Sequence, residues 1–503
     1  MSPYVRKVRQ PSGAWSVQLV VSHGRGRRDV THVGTAHDEA ELATLTAAAL
    51  ALAPQPELPV GTSVLSGSGR AAGAMAFVVG SRLGPLWDVL SAAWQSLGLD
   101  EVADKVFLLL VLARVLEPTS KQDSLRVLEE AGVPACSYAT LKRRLPRYAT
   151  REFRDQMAGV LAAHASLGPS SLVLFDVSTL YFETDKADGF REPGFSKERR
   201  LEPQVLIGLL CDASGFPLWV EGFAGNRAET TVMIPVVEAF TRSHGVTDLV
   251  LAADAGMMSE KNLKAVEDAG WGFIVGGKLP DVPWVLHEWL KAHPGGTPVD
   301  GMVLTQPLVM GLNADIRRRV VHYQYKADRA RRSLRGIDEQ VGKAVKAVAG
   351  KTPIKRNRFV RLDGGRRSVN RLLEAKARTL SGWKPYVTNL LDADPMFVIG
   401  AYHQLWHVEH AFRMSKHDLR ARPMYHHDRE SIDAHLAIVT AALAVSTWLE
   451  QHAGCTIKHL VKTLRRYQID TIRVGTHTFE AEPDLPDEIR ELIDRIPKNR
   501  TPI

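Results

Sequence analysis

The chain has 503 residues, enough for a large buried core and about two to four domains. Apolar residues make up 45% and charged residues 24%, which argues against a disordered or membrane-spanning class. The formal charge is +8, but residues 326–378 hold 17 Lys and Arg against 5 Asp and Glu, so the other 450 residues sum to −4. A segment carrying more than the whole excess is a candidate polyanion-binding surface, with a solvated basic helix as the plain alternative.

Three scattered cysteines (Cys136, Cys211, Cys455) suit neither a disulfide framework nor a cysteine-based zinc site. The first residues are polar and basic, without an apolar core of signal-peptide length. The longest apolar stretches, 107–112 and 436–449, are too short or too interrupted to span a bilayer. A reduced, cytoplasmic setting with no membrane partner is expected.

In chain order, residues 4–35 alternate as short strands around a Gly/Arg turn, and an Ala/Leu-rich helix follows over 38–52. Together these form a small N-terminal β/α domain, 1–53. A Pro/Gly/Ser-rich stretch makes 54–83 a linker. Residues 84–168 read as helical. Within them, the segment from Gly132 to Leu145 predicts a turn and a short basic helix, either a helix-turn-helix reader or an ordinary bundle helix.

From Ser171 the texture changes. Leu172-Val-Leu-Phe-Asp176 predicts a buried strand ending on a carboxylate, and two further strands near 204–211 and 217–223 complete an antiparallel meander. A helix over 230–243 and a second strand, Leu249-Val-Leu-Ala-Ala-Asp254, follow. Then come a helix over 259–269 and a strand at 272–276. The fold class is therefore α/β. This order is the one expected of a ribonuclease H-like core, whose first part is 169–279.

Residues 280–395 interrupt that core as an inserted basic subdomain, because a structureless loop of this length is improbable. Residues 396–470 complete the core with helices, so the C-terminus is helical, and 471–503 form a polar tail.

The completing segment starts with Tyr402, Glu409 and Lys416, spaced by seven residues. Two helical turns would put an aromatic ring, a carboxylate and an ammonium on one helix face. Asp176, Asp254 and Glu409 could then hold a pair of divalent ions for phosphoryl transfer, since hard oxygen donors suit Mg²⁺. Asn226 and Glu229 lie between a strand and a helix, where an N-cap with its capping-box partner is the favoured reading. Lys278 is either a phosphate contact or a solvated lysine. Trp406 and Phe412 read as core contacts of the Glu409 helix. Seven of the 18 histidines fall between His403 and His435. His403 and His407 at i, i+4 are read as surface or DNA-facing side chains rather than zinc ligands.

Five motifs occur in order. They are Phe175-Asp176-Val-Ser-Thr-Leu-Tyr-Phe, Gly225-Asn226-Arg-Ala-Glu229-Thr230, Ala253-Asp254-Ala-Gly-Met-Met-Ser, Val387-Thr388-Asn389, and the stretch from Tyr402 to Arg422-Pro423. They resemble bacterial insertion-sequence transposases of the DDE type, in the branch marked by a Tyr–Arg–Glu–Lys signature. The resemblance covers about residues 170–440.

The resemblance implies a catalytic and metal-binding triad of Asp176, Asp254 and Glu409, two Mg²⁺ ions with Mn²⁺ able to substitute, and cut-and-paste chemistry on double-stranded DNA. The DNA would be the terminal inverted repeats and the target, bound by a homodimer on paired ends in a bacterial cytoplasm. Lys416 and Tyr402 match positions beside the cleaved end. Leu405 stands where the signature has Arg, so Arg413, one turn past Glu409, is the expected substitute. Two alternatives stay open: a catalytically inactive, transposase-derived DNA-binding protein, and a phosphatase using Asp176 as nucleophile. The phosphatase would need a second Asp where Ser178 stands.

Overall fold

The computed structural model describes residues 4–9, 15–23, 27–36, 45–46, 76–168, 170–183, 186–194, 202–246, 248–311, 316–353, 357–363, 366–422, 424, 426 and 428–497. The expected helix over 38–52 and the Pro/Gly/Ser stretch lie almost wholly outside them. The chain divides into two compact units, Met1–Ala74 and Met75–Ile503.

In the first unit β1 (Tyr4–Arg9), β2 (Trp15–His23) and β3 (Arg27–Ala36) form an antiparallel sheet in chain order. Val17 and Val20 are both buried, although strict alternation would set residues three apart on opposite faces. A bulge between Val17 and Gln18 shifts the register and restores both to one face.

The second unit opens with β4 (Ala76–Arg82) and five helices: α1 (Gly84–Ser96), α2 (Lys105–Leu116), α3 (Ser124–Glu130), α4 (Tyr138–Ala149) and α5 (Arg151–His164). The meander then forms as β5 (Ser171–Tyr181), β6 (Gln204–Asp212) and β7 (Pro217–Ala224). After α6 (Met233–His244), β8 (Leu249–Ala253) pairs parallel to β5. After α7 (Glu260–Asp268), β9 (Gly272–Gly276) pairs parallel to β8. Such buried parallel strands carry uninterrupted apolar runs because both faces are covered, and every residue of β8 and β9 is buried.

The inserted segment does not stand apart from the core. It contributes α8 (Trp284–Ala292), β10 (Val303–Met310), β11 (Arg317–Tyr325), α9 (Ala327–Val348), β12 (Val360–Asp363), β13 (Arg366–Val369), α10 (Arg371–Thr379) and β14 (Trp383–Thr388). Three of its strands lie on the β9 edge, giving one mixed eight-stranded sheet of order β10-β11-β14-β9-β8-β5-β6-β7. Edge strands left unpaired invite further pairing, and β14 covers the edge that β9 would otherwise expose. The insertion also has small clusters of its own, one around Leu286, Val321, Tyr323 and Trp383 on α8, β11 and β14, and one around Ile337, Val341, Ala344 and Phe359 between α9, the β12–β13 hairpin and α10. This mixed α/β sheet fits the ribonuclease H-like expectation along β5 to β9.

The chain continues through α11 (Pro395–His403), α12 (Leu405–Arg413), a π turn over Met414–Asp418, α13 (Arg429–Ala453) and α14 (Ile457–Leu464). By length and composition α13 could cross a membrane, but 94% of its most apolar window is buried inside the protein. It packs against α1, α2, α4 and β7, so the helices before Ser171 and the sheet share one core, with Trp94, Phe107, Phe175 and Trp448 among its members. The described part of the polar C-terminal stretch also carries secondary structure. There β15 (Ile469–Val474) pairs with β16 (His477–Ala481) and with β4, a strand inside the span that the sequence predicts as linker, and α15 (Asp487–Asp494) follows.

Candidate active site

The register of the two central strands places Asp176 and Asp254. Parallel pairing of β5 with β8 runs from Ser171↔Leu249 to Phe175↔Ala253, so the next residue on each chain is an aspartate. Neighbouring strands lie about 4.8 Å apart, which makes these two carboxylates lateral neighbours at the carboxyl end of the parallel pair. Asp176 does not end its strand, as the apolar run had suggested. β5 continues to Tyr181 because β6 pairs with it antiparallel throughout, with Asp176 opposite Leu209. The phosphatase alternative needs the nucleophile at the head of a loop, and Asp176 sits inside a continuous ladder instead.

Each aspartate turns one oxygen back to the chain. Val177 N donates to Asp176 Oδ1 at 2.8 Å, and Ala255 N donates to Asp254 Oδ1 at 2.8 Å. Asp176 is half-buried and Asp254 exposed.

The stripe from Tyr402 to Lys416 does not ride on one straight helix. Tyr402 lies in the last turn of α11, Glu409 lies in α12 after a break at Gln404, and Lys416 lies in the π turn. A π turn adds a residue to the helical circuit and re-aims the side chains that come after it. Here it directs Lys416 Nζ to donate to Ser178 Oγ, two residues past Asp176 and hence on the same face of β5. Helix α12 packs over β5 and β6. Glu409 is exposed on it, while Leu405, Val408 and Phe412 face the core.

Leu405 is therefore an interior contact, and the signature position points away from solvent. Trp406 contradicts its expectation as a core contact. It is 56% exposed and lies against the His407 ring with centroids 3.8 Å apart. Arg413, the last residue of α12, is exposed.

Tyr402 is held on Asp254. Its hydroxyl donates to Asp254 Oδ1 at 3.2 Å, its ring meets Tyr386 edge-on at 5.2 Å, and Lys384 Nζ lies 4.1 Å from the ring centroid. Burial, then the Asp254 carboxylate and the hydrogen bond to it, raise the phenol above its ordinary pKa. Gly276 makes this pose possible. A Cβ there would lie 2.7 Å from the Tyr402 hydroxyl oxygen and 2.9 Å from Cζ.

Two cations on this side of the site carry no mark in the sequence, Lys384, which feels Asp254, and Arg329, which acts on Lys384. Lys384 on β14 is pushed below its ordinary pKa by burial and then by Arg329, an effect Asp254 partly offsets. Arg329, in the first turn of α9, donates to the Gln324 and Gly382 carbonyls at 3.2 and 3.1 Å. The signal that could have found Lys384 is its place two residues before Tyr386, on the same face of a strand. Lys278 is exposed in the segment after β9.

Asn226 and Glu229 do not form the expected capping box. Asn226 is exposed in a turn, Glu229 opens a short 3₁₀ turn (Glu229–Thr231) with no side-chain cap, and α6 begins only at Met233. The residue that ties this turn to the site is Asn262, buried in α7. Its Nδ2 donates to the Thr230 carbonyl at 2.6 Å and the Met257 carbonyl at 2.8 Å, three residues past Asp254. Asn389 is likewise structural. It accepts from Phe273 N at 2.8 Å and donates to the Trp271 carbonyl at 2.9 Å, fastening the end of β14 to β9.

The donor set facing solvent here is carboxylate oxygen, which suits a hard divalent cation. The two aspartates fit such an ion. Among the described residues no three of His, Cys, Asp and Glu are gathered closely enough to enclose one, though the Glu409 carboxylate is close enough to Tyr402 to help raise its phenol.

No curated protein matches the chain. Among solved structures, one similar chain is that of the cryo-EM structure of the piggyBac transposase synaptic complex with hairpin DNA. It is 10% identical over 83% of this chain and 84% of that one, with a TM-score of 0.37, too distant a likeness to carry an argument. The family model for the transposase DDE domain matches residues 167–445, which is 279 of 503 residues and spans both aspartates, the insertion and Glu409. By that match the chain belongs to the transposase DDE domain family.

Proposed function

We propose that this protein is a metal-dependent DNA transposase that cleaves a strand at the ends of a mobile element and joins the freed end to target DNA. The observation that carries this reading is the in-register Asp176–Asp254 pair, flanked by Tyr402 on Asp254 and by Lys416 beside Asp176.

Asp176, Asp254 and Glu409 are the proposed ligands of two Mg²⁺ ions, with Mn²⁺ as a substitute. When bound, such ions supply water activation and charge stabilisation at a phosphodiester. The chain's own side chains do the rest. Tyr402 holds the Asp254 carboxylate in one orientation, and Gly276 leaves room for the ring. Lys416 presents a positive charge to phosphate on the Asp176 side. Lys384 does so on the Asp254 side, in the part vacated by the signature Arg, and Arg413 and Lys278 add exposed charge nearby. A desolvated, pre-placed cation needs little reorganisation as charge builds on a phosphate. The basic insertion and the exposed basic face of α4 (Lys142, Arg143) would grip the duplex, in a homodimer that pairs two ends in a bacterial cytoplasm.

The test is strand cleavage of a labelled duplex taken from the DNA flanking the gene, with Mg²⁺. Wild type should nick it, and Asp176→Ala, Asp254→Ala and Glu409→Ala should each lose cleavage while keeping DNA binding. Three variants that cleave like wild type would refute the site. Binding without nicking by wild type would instead mark a transposase-derived binding protein.

A further inference from the structure

Lys416 has a second environment behind the carboxylates. It and the π turn form one wall of a cleft of about 620 Å³. Arg114, at the end of α2, and His435, on α13, lie at its floor, and Lys121, Arg420, Arg422 and His426 line its sides. Among the described residues no carboxylate lines it. Two carboxylates stand behind the lining: Asp428, which acts on Lys121 and accepts from Ser431 N at 2.7 Å and Ser431 Oγ at 2.9 Å, and Asp123, which accepts from Thr119 Oγ1 at 2.6 Å.

So many like charges in a concave space repel one another, and a fold maintains that cost where a ligand of opposite charge relieves it. The details agree. Arg114 is buried and spends its donors on the Leu419 carbonyl (2.9 Å), the Arg420 carbonyl (3.4 Å) and the Thr119 carbonyl (3.2 Å), which fixes the loop bearing Arg420 and Arg422. Arg420 itself is exposed and has φ 43°, a left-handed conformation that costs a non-glycine residue energy.

His435 is buried. Its Nε2 donates to the Ala421 carbonyl at 3.2 Å, which leaves Nδ1 as a buried atom with no partner among the described residues. A proton added at Nδ1 would make a second donor. Lys121, 2.8 Å from His426 Nε2, is pushed down to about 7 by burial and then by Arg114, with Asp428 opposing. Lys416, His417, Arg420 and Arg422 face the same space. Bound anionic oxygen would favour protonation of both Lys121 and His435.

We propose that this cleft is a binding site for backbone phosphate of DNA, holding the strand beyond Lys416 on the side away from Asp254. The proposal rests on the transposase reading for the identity of the ligand. Apart from Lys416 and His417 in the π turn, its lining residues come from α2, the 118–121 loop, Arg420, Arg422, Met424, His426 and α13.

The experiment measures fluorescence anisotropy of the same flanking duplex over a salt series, for wild type, Arg420→Ala and Lys121→Met, with thermal melting of each free protein. Each variant should bind roughly ten-fold more weakly, with a salt slope smaller by about 1. Lys121→Met keeps the stem and removes a desolvated charge, so its melting temperature should be unchanged or higher. Lower melting with unchanged DNA affinity would mark Lys121 as structural and overturn the proposal. Wild-type affinity and slope in both variants would overturn it too, and would leave the transposase reading standing if cleavage persists. Inorganic phosphate that raises the melting temperature of wild type only, with DNA affinity equal in all three proteins, would assign the cleft to a free anion and refute the DNA assignment. Wild type that binds through the cleft yet nicks nothing would sink the catalytic reading alone. Wild type that fails to bind DNA would sink both.

Discussion

Arg319 on β11 is 1% exposed and joins the insertion to the core helix α7 through four charge-assisted hydrogen bonds. Nε and Nη2 reach Glu267 at 2.8 and 3.1 Å, and Nη1 and Nη2 reach Glu260 at 2.9 and 2.8 Å. Its guanidinium also lies 5.6 Å from the Phe273 ring on β9. Replacing it with Met keeps the apolar stem and strands two carboxylates unequally. Glu260 is 47% exposed and regains water, while Glu267 is 8% exposed and does not.

Breaking one side of a buried pair costs about 3–5 kcal/mol. The exposed half adds little, so about 3 kcal/mol is expected for Arg319→Met. Arg317 keeps Asp268 at 2.6 Å and approaches Glu267 only to 4.0 Å, so it cannot take over. Urea unfolding followed by tryptophan fluorescence gives the loss, and hydrogen exchange along β11 should rise with it. Adding Glu267→Met to Arg319→Met removes the stranded charge and should restore most of the stability. A loss under about 1 kcal/mol, or a double variant no better than the single, would refute the reasoning.

Tyr402→Phe should slow single-turnover cleavage by roughly ten-fold, the value of one hydrogen bond to a charged group, without lowering the melting temperature. An unchanged rate would strip the hydroxyl of its role. Gly276→Ala should cost more cleavage than Tyr402→Phe, because the new methyl displaces the whole ring; equal rates would contradict the contact. Leu405→Arg installs the arginine expected from the Tyr–Arg–Glu–Lys resemblance but buries a guanidinium in the core, and should destabilise by about 3 kcal/mol in urea unfolding. A variant as stable as wild type would show that the side chain reaches solvent.

Lys121 titrates near 7 in the folded protein, against 10.5 for a freely solvated lysine. The unfolded chain therefore holds the extra proton between those values, and this group makes stability rise with pH across that window. The penalty is complete below pH 7 and absent above 10.5, with a ceiling of about 5 kcal/mol. Lys121→Met should accordingly gain stability over wild type at about pH 6 and none near pH 11, and an equal gain at both would refute the linkage.

The central strands were legible because β5, β8 and β9 carry apolar runs of strand length, and the pair of aspartates follows from those runs ending in the same way. Register and partner choice were hidden. β5 runs on past Asp176 because β6 pairs with it, and nothing local to 177–181 announces that partner. β14 was visible as a motif ending in Asn389, but its place beside β9 depends on pairing across more than a hundred residues. β4 and β15 meet across nearly four hundred residues, so the local sequence reads one as linker and the other as the edge of a tail. At Leu405 and Trp406 the family pattern and helical phase gave no way to tell the core-facing residue from the exposed one. The break at Gln404 sets that phase.

The sheet order also explains why a basic insertion belongs where it does in the chain. Its strands return through β14, which lies next to β9 and carries Lys384 and Tyr386 against Tyr402, so the Asp254 half of the site is assembled from segments on both sides of the insertion. The Asp176 half takes its cation from the π turn, and behind that turn opens the cleft lined by Arg420 and Lys121. Two adjacent carboxylates thus have positive charge on either side, from elements far apart in sequence. Coulomb repulsion would keep a polyanion away from a bare aspartate pair, and flanking cations offset that repulsion on both approaches. In the proposed reaction, a strand laid across the pair would meet a cation on each side of it. A shortened insertion that deleted β14 would leave β9 as an open edge and Tyr402 without Tyr386 or Lys384. Charge delivery and sheet completion are one requirement in this fold, which is why neither could be read from the basic segment alone.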